Sequence, residues 1–175
     1  MDSPIIRLPE QAKSVRSDDI AAEIQRHLGE YTLEAIYRDK VLSQRTRQYE
    51  LHAPAKTVRV EILHTLLGIE LKMGNRRVLC PDLATARYLS VFAQLGCQTV
   101  AVPYDITQVS HIADLLESSL NRLRLLAEHL TEGRSARLRA SVRRRVVGDA
   151  REEITRLGAG TRIPEFNQNT RQRTR

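Results

Sequence analysis

Apolar residues recur along this chain with periods that change several times, and each change predicts the edge of an element. The sharpest stretch runs from Ile69 to Thr107. Leu66 to Lys72 reads as a strand, Gly74-Asn75 as a tight turn, and Arg76 to Cys80 as the returning strand of a hairpin. Pro81-Asp82 opens a helix that carries Leu83, Ala86, Leu89, Phe92 and Ala93 on one stripe and stops at Gly96. Val100-Ala101-Val102 supplies the next strand. The short path from the Val78 strand to the Val100 strand predicts a right-handed crossover between parallel neighbours.

Upstream, Ser17-Asp18-Asp19 offers caps for a helix with Ile20, Ile24 and Leu28 on one side, and a second helical run is predicted from Thr32 to about Arg45. Tyr49 to His52 and Val58 to Ile62 read as short strands, the second alternating apolar and charged residues. Downstream, Val109, Ile112, Leu116, Leu123, Leu126 and Leu130 follow steps of three and four, with Ser119 as the polar seam position. Leu138, Val142, Val146, Ala150 and Ile154 then continue at steps of four. A five-residue turn from Thr131 to Ser135 joins the two, which predicts a helical hairpin packed seam against seam. The alternative is that the Val109–Leu130 seam forms a homodimer or takes a partner helix.

These elements predict an α/β or α+β fold: a small mixed sheet with a strand-helix-strand crossover unit, N-terminal helices and a C-terminal helical hairpin. The domain plan is a flexible arm over 1–17, a core domain over 18–107, a hairpin or oligomerisation element over 108–157, and a disordered basic tail over 158–175. No stretch approaches the roughly 20 apolar residues that span a bilayer, and the N-terminus lacks the basic-then-apolar order of a secretory signal. The expectation is a cytoplasmic protein with no membrane span. Cys80 and Cys97 lie at opposite ends of a helix about 20 Å long, too far apart for a disulfide, and read as small buried apolar residues.

Charge changes the picture only when it is located. The formal net charge is +7. Residues 134–175 hold twelve arginines against four acidic residues, net +8, and the rest of the chain is near neutral. Arg134, Arg137, Arg139, Arg143, Arg144 and Arg145 cluster on one predicted helix, and Arg171, Arg173 and Arg175 follow at the end. Guanidinium groups in such a cluster suit phosphate or carboxylate, so nucleic acid or an acidic protein surface is the partner expected. Five Tyr, two Phe and no Trp leave little to build a stacking platform, which makes that contact mainly electrostatic.

Two other constellations could carry chemistry. Glu70 and Lys72 share a strand face by alternation, and Glu61 lies on the preceding strand. Metal-dependent nucleases use two carboxylates on Mg²⁺ and a lysine to stabilise charge, so Glu61 and Glu70 with Lys72 form a candidate nuclease centre. Asp82 and Asp105 each follow a strand of the crossover unit, where both carboxylates would emerge at one sheet edge as a metal site; the simpler reading is that each caps the next helix. No phosphate-binding glycine loop is present, and His27, His52, His64, His111 and His129 have no metal-ligand spacing. The leading expectation is a non-catalytic nucleic-acid-associated protein that needs no cofactor. The alternatives are a Mg²⁺-dependent nuclease and an assembly or adaptor factor acting through its long amphipathic helix.

Overall fold

A computed structural model describes residues 15–54 and 59–160. Helix α1 (Ser17–Leu28) starts where the Asp19 carboxylate accepts from the Arg16 amide, and it buries Ile20, Ala21, Ile24 and Leu28. Thr32 caps α2 (Leu33–Ile36), its hydroxyl accepting from the Ala35 amide at 3.2 Å, and the helix widens into a π turn over Tyr37–Val41. The run predicted to Arg45 therefore ends four residues earlier, because Thr46 already belongs to a strand.

Among the described residues, five strands form two separate antiparallel sheets, so the fold is α+β. Strands β2 (Val60–Thr65), β3 (Gly68–Met73) and β4 (Arg76–Cys80) make a meander. The predicted Gly74-Asn75 turn closes its second hairpin, with Met73 opposite Arg76 and Gly74 at φ 61°, a conformation glycine adopts without strain. Leu66 and Leu67, expected in a strand, instead form the tip of the first hairpin and are fully solvated. Their apolar character mimics a strand although the backbone turns there.

The second sheet joins β1 (Thr46–Glu50) to β5 (Thr99–Pro103), with Gln48 opposite Ala101. This corrects the parallel crossover and the single mixed sheet: β5 does not pair with β4. The reason lies on the edge of β5 turned away from β1. There the Tyr37 hydroxyl accepts from the Ala101 amide at 2.9 Å, and the Tyr88 hydroxyl donates to the Ala101 carbonyl at 2.5 Å. Two phenols thus occupy the groups that a neighbouring strand would use. Tyr37 also donates to the Gly158 carbonyl at 2.7 Å, tying β5 to the C-terminal end of the last helix. Both rings pack on Phe92, with centroids 5.4 and 5.0 Å away.

Between the sheets runs α3 (Leu83–Leu95), capped by Asp82 and closed by Gly96 in the left-handed conformation. Helices α4 (Ile106–Leu130) and α5 (Ala136–Leu157) follow as predicted, joined by a tight turn and capped by Asp105 and Ser135. Their seams are shared with a third helix, since α1 packs on both. Val109, Ile112, Leu116 and Leu123 are buried in the same core as Val142, Val146, Ala150 and Ile154. The seam proposed for a homodimer or partner helix is therefore covered by the chain's own residues. Ser119, its one polar member, donates to the Tyr31 carbonyl at 2.6 Å, so the hydroxyl is satisfied where it is buried. An ion-pair clamp joins α3 to α4, with Arg87 2.6 Å from both Asp114 and Glu117.

Candidate nucleic-acid interface

The four-residue period that drives Val142, Val146, Ala150 and Ile154 into the core leaves the rest of α5 to solvent, and its arginines take those positions. Arg134, Arg137, Arg139, Arg143, Arg144 and Arg145 are all exposed, as the sequence predicts for a charged helix face. Two of them are partly neutralised: Arg143 lies 2.9 Å from Glu128, and Arg145 lies 3.1 Å from Asp149 and 3.7 Å from Asp18. Among the described residues, Arg134, Arg137, Arg139 and Arg144 form no ion pair. Exposed pairs are weak and an anion can displace them, so the whole face is open to phosphate. Arg171, Arg173 and Arg175 lie outside the described residues.

Beside this face is a groove that the sequence pattern does not announce. Helix α5, the end of α3 and the C-terminal part of α4 enclose about 660 Å³, floored by Leu123, Ala127 and Val146 and rimmed by Arg124, Arg143, Arg144 and Arg151. Arg124 is held there by the Gln94 side-chain carbonyl at 2.7 Å. Arg151 also lines a second groove of about 650 Å³ that continues past Gly96, Gln98 and Arg156 to Gly158. A sequence signal for Arg151 does exist. Arg137, Arg144 and Arg151 recur every seven residues, which on a helix is one nearly straight stripe with about 10.5 Å between steps. The cluster at Arg143-Arg144-Arg145 hides that spacing.

Gly148 sits in this groove in mid-helix. A Cβ there would meet nothing within 4 Å, and its backbone is not in the left-handed region, so nothing inside the fold requires glycine. Gly148→Ala is expected to stabilise the protein by roughly 0.5–1 kcal/mol, read as a higher denaturation midpoint at unchanged slope.

The acidic constellations are arranged differently. Glu61 stands directly opposite Lys72, and with Glu70 and Arg77 they share the face of the meander turned away from α3, as alternation predicts. Each carboxylate already has a cation: Glu61 is 3.1 Å from Arg59 and 3.5 Å from Lys72, and Glu70 is 3.5 Å from Arg77. Lys72 also stands directly opposite Arg77, and the Glu70 side chain is only 12% exposed. Asp82 and Asp105 do not meet at one sheet edge, because their strands belong to different sheets. Asp82 accepts from the Thr85 amide at 2.7 Å and Asp105 from the Thr107 amide at 2.9 Å, so both are caps. Among the described residues no three His, Cys, Asp or Glu side chains converge to hold a metal ion, and no helix is long and apolar enough to cross a membrane.

Cys80 and Cys97 are buried as expected for small apolar residues. Burial pushes the Cys97 thiol up to about 12 and raises that of Cys80, so neither presents a thiolate nucleophile near neutral pH. What sequence reasoning missed is the groove itself, where Leu123 and Arg124 of α4 meet Gly148 and Arg151 of α5. Comparison with known proteins adds no assignment: no family model, curated protein or solved structure matches the chain.

Proposed function

We propose that this protein is a non-catalytic nucleic-acid-associated binding protein whose contact surface is the arginine face of α5, extended by the basic residues that follow it. The observation that carries the reading is the exposure of all six arginines from Arg134, in the turn before α5, to Arg145, on a helix whose apolar stripe is fixed in the core. A rigid cationic face needs no ordering when it meets a polyanion, and each neutralised phosphate releases counterions into solution. Among the described residues this face holds no aromatic side chain to read bases, so it suits binding with little sequence preference and without bond cleavage.

The test is a mobility-shift titration against duplex and single-stranded DNA and RNA, run at several salt concentrations with Mg²⁺ and again with chelator. The expected result is binding at low salt that weakens steeply as salt rises, with the nucleic acid recovered intact under both conditions. No binding at low salt eliminates the reading. Recovery of shortened nucleic acid only with Mg²⁺ would move the function to Glu61, Glu70 and Lys72, which lie on the far side of the meander.

A further inference from the structure

Resting on that reading, we propose that the groove along α5 is a channel for single-stranded nucleic acid and that the protein binds single strands in preference to duplex. Three features on different elements point to it. The first is continuity. The two grooves meet at Arg151, so an open path follows one side of α5 from Ala140 to Arg156, about 24 Å at 1.5 Å per residue. Such a path takes a short run of nucleotides, near the lower end of the ~4–16 typical of single-strand grooves.

The second feature is charge. Arg124, Arg143, Arg144, Arg151 and Arg156 line the path with Glu152, and of these Arg143 and Arg156 are ion-paired at the surface with Glu128 at 2.9 Å and Glu153 at 2.7 Å. Arg151 is half-buried beside Gly96, whereas Arg124, Arg143, Arg144 and Arg156 are exposed. A duplex carries its phosphates on the outside of a stiff rod and reaches only the rim, at Arg143 and Arg144. A single strand bends, so its phosphates can descend to Arg151 while its unpaired bases cover Ala140 and Val147, the apolar lining residues that are not buried. That apolar lining has no use for a duplex, whose base faces are already stacked.

The third feature is Gly148. A glycine in mid-helix weakens the helix, and no neighbour within the fold explains this one. It does leave bare backbone along the wall of the channel, where a ligand comes close. This observation is independent of the arginines and concerns the same few ångströms of surface.

Fluorescence anisotropy with labelled oligo(dT), oligo(U) and a duplex of matched length tests the proposal on the full chain. Wild type should bind both single strands at least about tenfold tighter than the duplex at low salt. A difference between oligo(dT) and oligo(U) would assign the natural strand as DNA or RNA. Gly148→Glu places a carboxylate in open space and should cost at least about tenfold in single-strand affinity, and Gly148→Ala, which covers the bare backbone with a Cβ alone, should weaken it by less. Arg144→Gln and Arg151→Gln should each weaken single-strand binding more than duplex binding. Circular dichroism checks that the variants are folded; Arg144 is exposed, so its variant keeps the test valid if Gly148→Glu fails to fold. Equal or tighter duplex binding overturns the channel. So does unchanged binding in the groove variants when Arg137→Gln with Arg139→Gln is weakened, an outcome that leaves the nucleic-acid reading standing. Absence of binding to every probe at low salt removes both.

Discussion

Tyr37→Phe is expected to be among the most destabilising substitutions that change only one atom. Its hydroxyl sits at the junction of three elements: it accepts from the Ala101 amide of β5, donates to the Gly158 carbonyl after α5, and hangs from the π turn after α2. Tyr37 and Ala101 are fully buried, so the Ala101 amide finds no water when the oxygen is removed, whereas the Gly158 carbonyl lines an open groove and can be hydrated. Leaving a buried donor or acceptor unpaired costs roughly 1–3 kcal/mol, and one such donor is orphaned. A decrease of about 1–3 kcal/mol follows, a large part of the total stability of a domain this size. Tyr88→Phe orphans the Ala101 carbonyl and should cost a similar amount. Denaturant unfolding gives both values. Near-neutral Tyr37→Phe would mean that Ala101 finds another partner and that the phenols do not hold the sheet edge. The same burial pushes the Tyr37 phenol up to about 12. Because the folded pKa is raised, the hydroxyl stays protonated throughout the neutral range, and its contribution is lost only when strong alkali ionises tyrosine in the unfolded chain.

The tyrosine pair also shows where sequence reading stops. Local signals located α3, α4, α5 and the β3–β4 hairpin because each is set by neighbours within a few residues: Asp82 and Gly96 at the ends of α3, Gly74 in the turn, repeating apolar positions on the long helices. Strand partnership is not local. Nothing in the spacing of Val78 and Val100 reveals that hydroxyls of Tyr37 and Tyr88 will fill the edge of β5, so the sequence favoured a parallel crossover that the fold does not use. Leu66-Leu67 misled for another reason, since two leucines in a two-residue turn carry no turn signal. They leave exposed side chains at the hairpin tip, near Leu79 at 59% exposure, without any feature in the chain that indicates what covers them.

The candidate site divides in the same way. Exposure of the Arg134–Arg145 cluster was legible because Val142 and Val146 fix which side of the helix turns inward. The groove was not, since Gln94, Arg124 and Arg151 come from three helices whose crossing geometry is a property of the packed core. Glu61, Glu70 and Lys72 do stand together as alternation requires, and the neighbouring Arg59 and Arg77 give both carboxylates cationic partners that the strand pattern alone did not assign. Arginine content alone therefore does not define the candidate interface. What distinguishes the candidate surface is how many guanidinium groups the fold leaves exposed along one helix.

That property sets the second large effect. Replacing Arg143, Arg144 and Arg145 together with Ala should lower nucleic-acid affinity at least about tenfold and reduce the salt slope by about 2–3, close to 0.9 for each phosphate no longer neutralised. All three side chains are exposed, and the pairs they leave, with Glu128, Asp149 and Asp18, lie at the surface where each contributes at most about 1 kcal/mol. The variant should therefore stay folded, with nearly the wild-type denaturation midpoint, while its binding largely disappears. The two readouts separate because the arginines occupy the side of α5 that the core does not use. The slope is the more discriminating of the two. A fall in affinity at unchanged slope would mean that the helix had shifted while the same number of phosphates stayed neutralised, whereas a fall in both identifies the guanidinium groups as the partners of the phosphates. Unchanged affinity and slope would place the binding surface elsewhere on the chain and remove the arginine face of α5 from any account of the function.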